Sequence, residues 1–371
     1  MKKILVLGTG APQADLILAC KERGWEVYAC SYRAGDPGEK LADHFALINI
    51  VDVAAVAEYA SENRIDAVYS AGSDIAMPTA FTVSERLGLP HFCPAQSAVT
   101  CNTKTLLRQT LGKDFAGNIP FQMLRSKEDT VEIPYPLMVK PEDSQGQRGV
   151  FCAHDQEELT ARFDESMHFS RSKKLILEKK IEGDEISVNT FSHDGKLLFF
   201  LPSERVVWPG LSGGIIHRHV LPGKWSDDVK AMERVRDLVE RTLRCLEILN
   251  GPAYFQIMID REGSPYLIEV TPRLDGCHMW RLIRFATGVD LMALTVDALE
   301  GKMPTEPPDY TIKAFETEFF CQAPDTVFCK DSFEPGDCAY LEWYYEEGET
   351  VHRMNGYKEK CGYAMRPLIQ K

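Results

Sequence analysis

Three stretches place charged residues at fixed points in apolar runs: 137-LMVKPEDSQGQRGV-150, 175-LILEKKIEGDEISV-188 and 255-FQIMIDREGSPYLIEVTPR-273. In the first, Lys140 ends a strand-like run and a loop with Gly146 and Gly149 follows. Glycines let backbone N–H groups approach phosphate oxygens closely, and a lysine supplies a point charge for the same oxygens. Taken alone, this stretch reads equally well as a surface hairpin. In the second, Glu178 precedes a short connecting strand, then Gly183 and Glu185. That order suits a hinge facing a purine, read by backbone groups at Lys179 and Ile181, with Glu185 accepting from ribose hydroxyls. A charged edge strand is the alternative. In the third, Gln256 and Glu269 flank the Arg261–Gly263 turn on adjacent expected strands. A hairpin there could aim both at one point. Hard cations such as Mg²⁺ want oxygen ligands and usually retain substrate phosphates. A glutamate inside the apolar run 266-YLIEV-270 is costly unless ion-paired or metal-bound. Arg273, after Pro272, could reach a transferred phosphoryl group or an acyl oxyanion. Together the three stretches supply the parts of a site for ATP.

Other candidates carry more than one reading. Asp74, in 72-GSDIAMPT-79, falls at an expected strand end, where ligands of α/β sheets collect; it serves equally as a helix N-cap. Within His217-Arg218-His219, Arg218 could bind a carboxylate. Zinc ligation there lacks an evident further Cys or His partner nearby, so a substrate-facing or solvent strand is favoured. Glu204 and Arg205 belong to the same group. Gly8-Thr9-Gly10 is not a full dinucleotide fingerprint, because Gln13 stands where a third glycine would be. A turn, or a wall for a small substrate, is expected instead.

The elements that must hold these residues follow from the pattern. Strands at 3–10, 25–31 and 65–70 alternate with helices at 12–23, 53–63 and 79–87, which implies a parallel sheet covered on both faces. A linker at 88–96 leads to a helix at 97–111 carrying Lys104. From Pro136 the strands become longer and antiparallel in character. A hairpin is expected over 187–201, turning at His193-Asp194-Gly195. A long charged helix follows at 227–249, then the strands 253–260 and 264–270 and a helix at 278–300. The proline-rich 303-MPTEPPDY-310 marks a boundary. The tail alternates short strands with turns at Pro335-Gly336, Glu347-Gly348 and Asn355-Gly356.

At 371 residues the chain is long enough for two or three domains. A net charge of −13 argues against nucleic acid as a partner, since phosphate backbones need a basic face. No apolar run approaches membrane-spanning length, and no secretory leader is expected. The eleven cysteines are irregularly spaced with no Cys-x-x-Cys pair, which suits free thiols in a reducing cytoplasm.

In order, Lys104, Lys140, the glycine loop, 178-EKKIEGDE-185, Glu269 and Arg273 resemble the ATP-grasp superfamily. The segments 85-ERLGLPHFCPAQSAVTCNTKTLLRQTL-111 and 268-IEVTPRLDG-276 look closest to carbamoyl-phosphate-synthase-like carboxylate–amine ligases and L-amino-acid ligases. The resemblance implies a mixed α/β and α+β architecture. A Rossmann-like pre-ATP-grasp domain would span 1–95. The ATP-grasp domain would span 96–305, with a small lobe at about 115–188 and a large lobe at about 189–305. A β-rich C-terminal lobe would follow at 306–371.

The resemblance also assigns roles. Lys104 and Lys140 would bind ATP phosphates under a flap around Gly146. Glu178, Lys179 and Ile181 would line the adenine hinge, and Glu185 would hold the ribose. Gln256, Glu269 and Thr271 would hold Mg²⁺, with Mn²⁺ an alternative. Lys140 and Arg273 would be catalytic. Two positions depart from the pattern: many members have a carboxylate at Gln256 and an asparagine at Thr271, which puts a second metal ion in doubt. The implied reaction joins a small-molecule carboxylate to an amine through an acyl phosphate. Another ATP-grasp chemistry, carboxylating or phosphotransfer, and a non-catalytic nucleotide-binding role are the alternatives. Asp74, Arg218 and Arg281 are the substrate candidates, and a homodimer is a family-level expectation.

Overall fold

The computed structural model describes residues 1–144, 148–209, 214–353 and 358–368. Gly146 and the Asn355-Gly356 turn lie outside them. The fully buried run Ile4–Leu7 lies in one of the two inner strands of a parallel sheet ordered His44–Leu47, Glu26–Ser31, Lys3–Leu7, Ala67–Tyr69. Parallel neighbours require crossovers, and helices Ala11–Glu22, Val53–Glu62 and Met77–Leu87 lie along this part of the chain. Asp52 caps the second of these through Ala54 and Ala55 N–H, both at 3.1 Å. Gly88, at φ 66°, ends the third.

A second, antiparallel sheet runs Phe121–Leu124, Leu175–Lys179, Leu137–Pro141, Phe151–Ala153. Helix Gln156–His168 covers it, and the two enclose a separate core that includes Leu137, Val139, Phe163 and Leu177. The third sheet has eight strands, ordered Pro265–Thr271, Gly251–Asp260, Gly183–His193, Lys196–Val207, Ile216–Leu221, Phe315–Gln322, Glu359–Pro367, Tyr340–Trp343. Its Gly183–His193 to Lys196–Val207 hairpin turns through Asp194 and Gly195, both at positive φ, as a two-residue turn demands. The amphipathic helix Val229–Cys245 adds Val235, Leu238 and Val239 to the core built on Ile186, Val188, Phe255 and Ile257.

The structure corrects several sequence expectations. The strands of the tail join the large sheet: Phe315–Gln322 pairs with Ile216–Leu221 and carries that sheet onward. Among the described residues of the tail, Phe328, Val351 and Cys361 form a small core of their own. Strand Gly183–His193 pairs with Lys196–Val207 and Gly251–Asp260 within the large sheet. The helix expected at 97–111 is two, Ala95–Asn102 and Lys104–Leu111, broken where Thr103 is extended. The helix expected at 278–300 is also two, Met279–Thr287 and Leu291–Leu299, broken at Gly288 with φ 81°. Among the described residues, no helix is long and apolar enough to cross a membrane.

The parallel sheet meets the large sheet backbone to backbone at Gly72 and Gly276. Gly72 has φ +69°, and a Cβ there would come within 2.8 Å of the Gly276 Cα. Its N–H donates to the Leu274 carbonyl at 3.3 Å. Gly72→Ala is therefore expected to destabilise the protein by about 1–3 kcal/mol, read as a lowered midpoint in urea. An unchanged midpoint would disprove the close approach.

Candidate active site

Lys104 opens helix Lys104–Leu111 and reaches the loop after Pro141, donating from Nζ to the Ser144 carbonyl at 2.7 Å. One turn on, Arg108 lies on the buried face of the same helix and is 1% exposed. Its Nε donates to Glu178 Oε1 at 2.7 Å, and the other Glu178 oxygen accepts from Lys140 Nζ at 2.5 Å. Arg108 also donates to the Leu267 carbonyl at 2.7 Å and the Ile268 carbonyl at 3.0 Å. One guanidinium thus ties a helix, the small antiparallel sheet and the large sheet together. Burial alone would push the Glu178 carboxyl up. The Arg108 and Lys140 charges outweigh it and hold the group down at about 2. Glu178, expected to line an adenine hinge, has both carboxylate oxygens engaged by Arg108 and Lys140. It is the fixed anion that positions Lys140.

Gln256 and Glu269 face each other across the antiparallel pair Gly251–Asp260 and Pro265–Thr271. Thr271 stands two residues on along the same face, opposite Tyr254, and is buried. Glu269 is half-buried and forms no direct ion pair among the described residues. Burial and the Asp74 charge push its carboxyl up, while Lys104, Arg273 and Lys140 pull it down. Those four groups are thus its electrostatic neighbours. Lys104 shows the converse: burial lowers its pKa and Glu269 pulls it back up. Arg273 is 5% exposed, donates from Nε to Asp74 Oδ1 at 2.7 Å and from Nη1 to the Leu274 carbonyl at 2.7 Å, and lies over the Tyr254 ring. Asp74, a substrate candidate from sequence, is here the counter-ion of Arg273.

Glu185 accepts from both Arg205 Nη1 and Gln256 Nε2. The carboxylate expected to hold a ribose already has two protein partners, and one of them is the candidate metal ligand Gln256. Lys179 is exposed, and its N–H is committed to the Pro120 carbonyl at 2.9 Å. Ile181 is half-buried beside it. Strand alternation separates the remaining candidates. Arg205 opposes His219 across neighbouring strands, whereas Arg218 opposes Val206 and so points to the other face. There Arg218 pairs with Glu316 at 3.1 Å, away from the row of Glu185, Gln256 and Glu269. Arg281 donates to Asp15 Oδ1 at 2.6 Å and stacks 4.1 Å over the Tyr340 ring. Trp280 and His278 bind the same carboxylate, at 3.1 and 3.0 Å. This network fastens helix Met279–Thr287 to helix Ala11–Glu22.

Sequence reasoning did not find Arg108. Its signal was the spacing Lys104-x-x-x-Arg108, which puts two cations on one helical face. Arg205 and His219 share with Glu204 and Arg218 the expectation of a substrate-facing or solvent strand, and strand pairing separates them: Arg205 opposes His219, on the other face from Arg218.

The arrangement brings Lys104, Lys140, Glu269 and Arg273 to the junction of all three sheets. Gln256 and Glu269 present side-chain oxygens of the kind a hard cation takes. Residues 101–277 match the ATP-grasp domain family. Phosphoribosylamine–glycine ligase of Methanopyrus kandleri is 24% identical over 343 residues, spanning 82% of this chain and 74% of that protein. The solved L-amino acid ligase of Bacillus licheniformis superposes with a TM-score of 0.80 at 18% identity, over 99% of this chain and 93% of that one. The biotin carboxylase domain of Hydrogenobacter thermophilus 2-oxoglutarate carboxylase, solved as a dimer with ADP, magnesium and bicarbonate, gives 0.78 at 17% identity, over 99% of this chain and 86% of that one. Residues 101–277 thus match an ATP-grasp domain, and the chain as a whole shares the fold of these solved structures.

Proposed function

We propose that the chain is an ATP-dependent carboxylate–amine ligase that forms an amide or peptide bond through an acyl phosphate, releasing ADP and phosphate. The observation that carries this reading is the convergence of Lys104, Lys140 and Arg273 on Glu269 and Gln256 at the sheet junction. ATP would lie between the two antiparallel sheets, its base at the Lys179–Ile181 hinge and its phosphates at Lys104 and Lys140. Gln256 and Glu269 would hold Mg²⁺, which when bound neutralises the charge that develops on the phosphates.

The protein's own work is positioning and charge. Lys140, fixed by Glu178, faces the phosphates with its ammonium held in place. A substrate carboxylate attacks the γ-phosphate, ADP leaves, and Arg273 stabilises the acyl oxygen as an amine displaces phosphate. Exclusion of water protects the acyl phosphate while the amine arrives. The buried Arg273–Asp74 pair holds the guanidinium at the edge of the parallel sheet, where the substrates would enter. The relative named as phosphoribosylamine–glycine ligase supports a carboxylate–amine pairing, and the neighbour solved with ADP and magnesium supports the nucleotide and metal.

The test is phosphate release from Mg-ATP across a matrix of amino acids and other carboxylates, each with and without amines. Release that requires one acid and one amine together is expected. Phosphorylated or carboxylated product formed without an amine would overturn the ligase reading in favour of another ATP-grasp chemistry.

A further inference from the structure

Behind Arg273 the chain turns into a buried group of donor atoms that the ligase reading does not use. His219, on strand Ile216–Leu221, is 0% exposed, and neither ring nitrogen has a hydrogen-bond partner among the described residues. Asp275 is 4% exposed and its Oδ2 is likewise unpartnered. Cys277 is buried beside them. One ligand atom from each of the three lies within 4.8 Å of the others. A buried imidazole and carboxylate oxygen without partners are costly, and a single occupant between them would satisfy both.

We propose that His219, Asp275 and Cys277 form a binding site for a zinc-class transition-metal ion, separate from the magnesium position at Gln256 and Glu269. The donor set decides the class: imidazole nitrogen and thiolate sulfur favour a borderline-soft ion over magnesium, which takes oxygen ligands. Three protein ligands of this kind leave one coordination position open in a tetrahedral site. On binding, Cys277 loses its thiol proton to solvent and the thiolate sulfur bonds the metal.

The surroundings fit. Asp275 Oδ1 accepts from the Cys277 N–H at 3.0 Å, which turns Oδ2 towards the other donors. Lys360 Nζ donates to Cys277 Sγ at 3.4 Å, a contact that can persist to a metal-bound thiolate. Two carboxylate and thiolate charges balance the dication. The nearby cations Arg205 and Arg273 are already paired, with Glu185 and Asp74. The ion would link strand Ile216–Leu221 to the loop carrying Arg273 and so brace the catalytic guanidinium from behind.

The test is metal analysis of the full chain purified without chelator, followed by cobalt substitution. About one zinc per chain is expected, and the cobalt form should show a thiolate-to-cobalt charge-transfer band. Cys277→Ser should abolish the band, and Glu269→Ala should keep it. A chain with no zinc and a featureless cobalt spectrum overturns the proposal, as does a band that survives in a folded Cys277→Ser protein. Should that variant fail to fold, the metal content and cobalt spectrum of the unaltered chain decide. Neither measurement uses ATP or a substrate pair, so failure here leaves the ligase reading standing, and failure of that reading leaves this one.

Discussion

Glu269→Ala is expected to cut ATP-dependent product formation about a thousandfold, since a catalytic metal contributes several kcal/mol and each 1.36 kcal/mol is worth a factor of ten. The side chain has no direct ion pair among the described residues, yet it is half-buried beside Lys104, Lys140 and Arg273. A carboxylate in that setting without a structural partner is free to take a cation. Gln256 stands opposite it with a neutral oxygen and is already engaged with Glu185. Glu269 would therefore be the charged member of the proposed ligand pair, and its loss should be felt more than that of Gln256. Glu269→Gln, which keeps an oxygen and removes the charge, should fall between alanine and the unaltered chain. Single-turnover rates and Mg²⁺ titrations check this. A variant whose kcat/KM stays within about threefold of the original would remove Glu269 from the metal site.

Much of this site could be read from the chain because the relevant residues sit in local patterns. Gln256 and Glu269 belong to one hairpin, and the short turn at Arg261–Gly263 sets their register. Lys140 and Glu178 stand next to last in strands whose apolar runs are plain. The Asp194-Gly195 turn announced the next hairpin in the same way. What escaped was decided by contacts distant in sequence. The spacing from Lys104 gives Arg108 a helical face but not its burial, which depends on Glu178 and on two carbonyls of the strand Pro265–Thr271. Alternation states that Arg205 and His219 share a face, but not which face meets the site. The tail's strands were legible as strands, whereas their place at the edge of the large sheet rests on the pairing of Arg218 with Glu318 and its neighbours. The break at Thr103 interrupts a run with no glycine or proline, and its local signal is the weak helix formers 100-TCNT-103, with Thr103 at the N-cap position of the next helix.

The same long-range pairing makes Glu178 the position where stability and function meet. Glu178→Gln keeps the side chain's shape and removes its charge. Arg108, 1% exposed, and Lys140 would then be left without their anion. Breaking a buried pair in this way costs about 3–5 kcal/mol, a large part of an ordinary domain's stability. The effect has a defined pH dependence. The folded-state value, about 2, lies below the ordinary 4.5. The charge-dependent stabilisation is thus fully present above about pH 4.5 and is lost as pH falls towards 2. Urea midpoints for the two proteins should differ widely at pH 7, and the gap should shrink progressively between pH 4.5 and 2. A gap that stays constant over that range would mean the glutamine is poorly accommodated for its shape, not its charge. The variant should also bind ATP more weakly at neutral pH under conditions where it remains folded, because Lys140 loses the carboxylate that aims it. Weaker binding with an unchanged urea midpoint would separate the two effects and deny Glu178 its structural part.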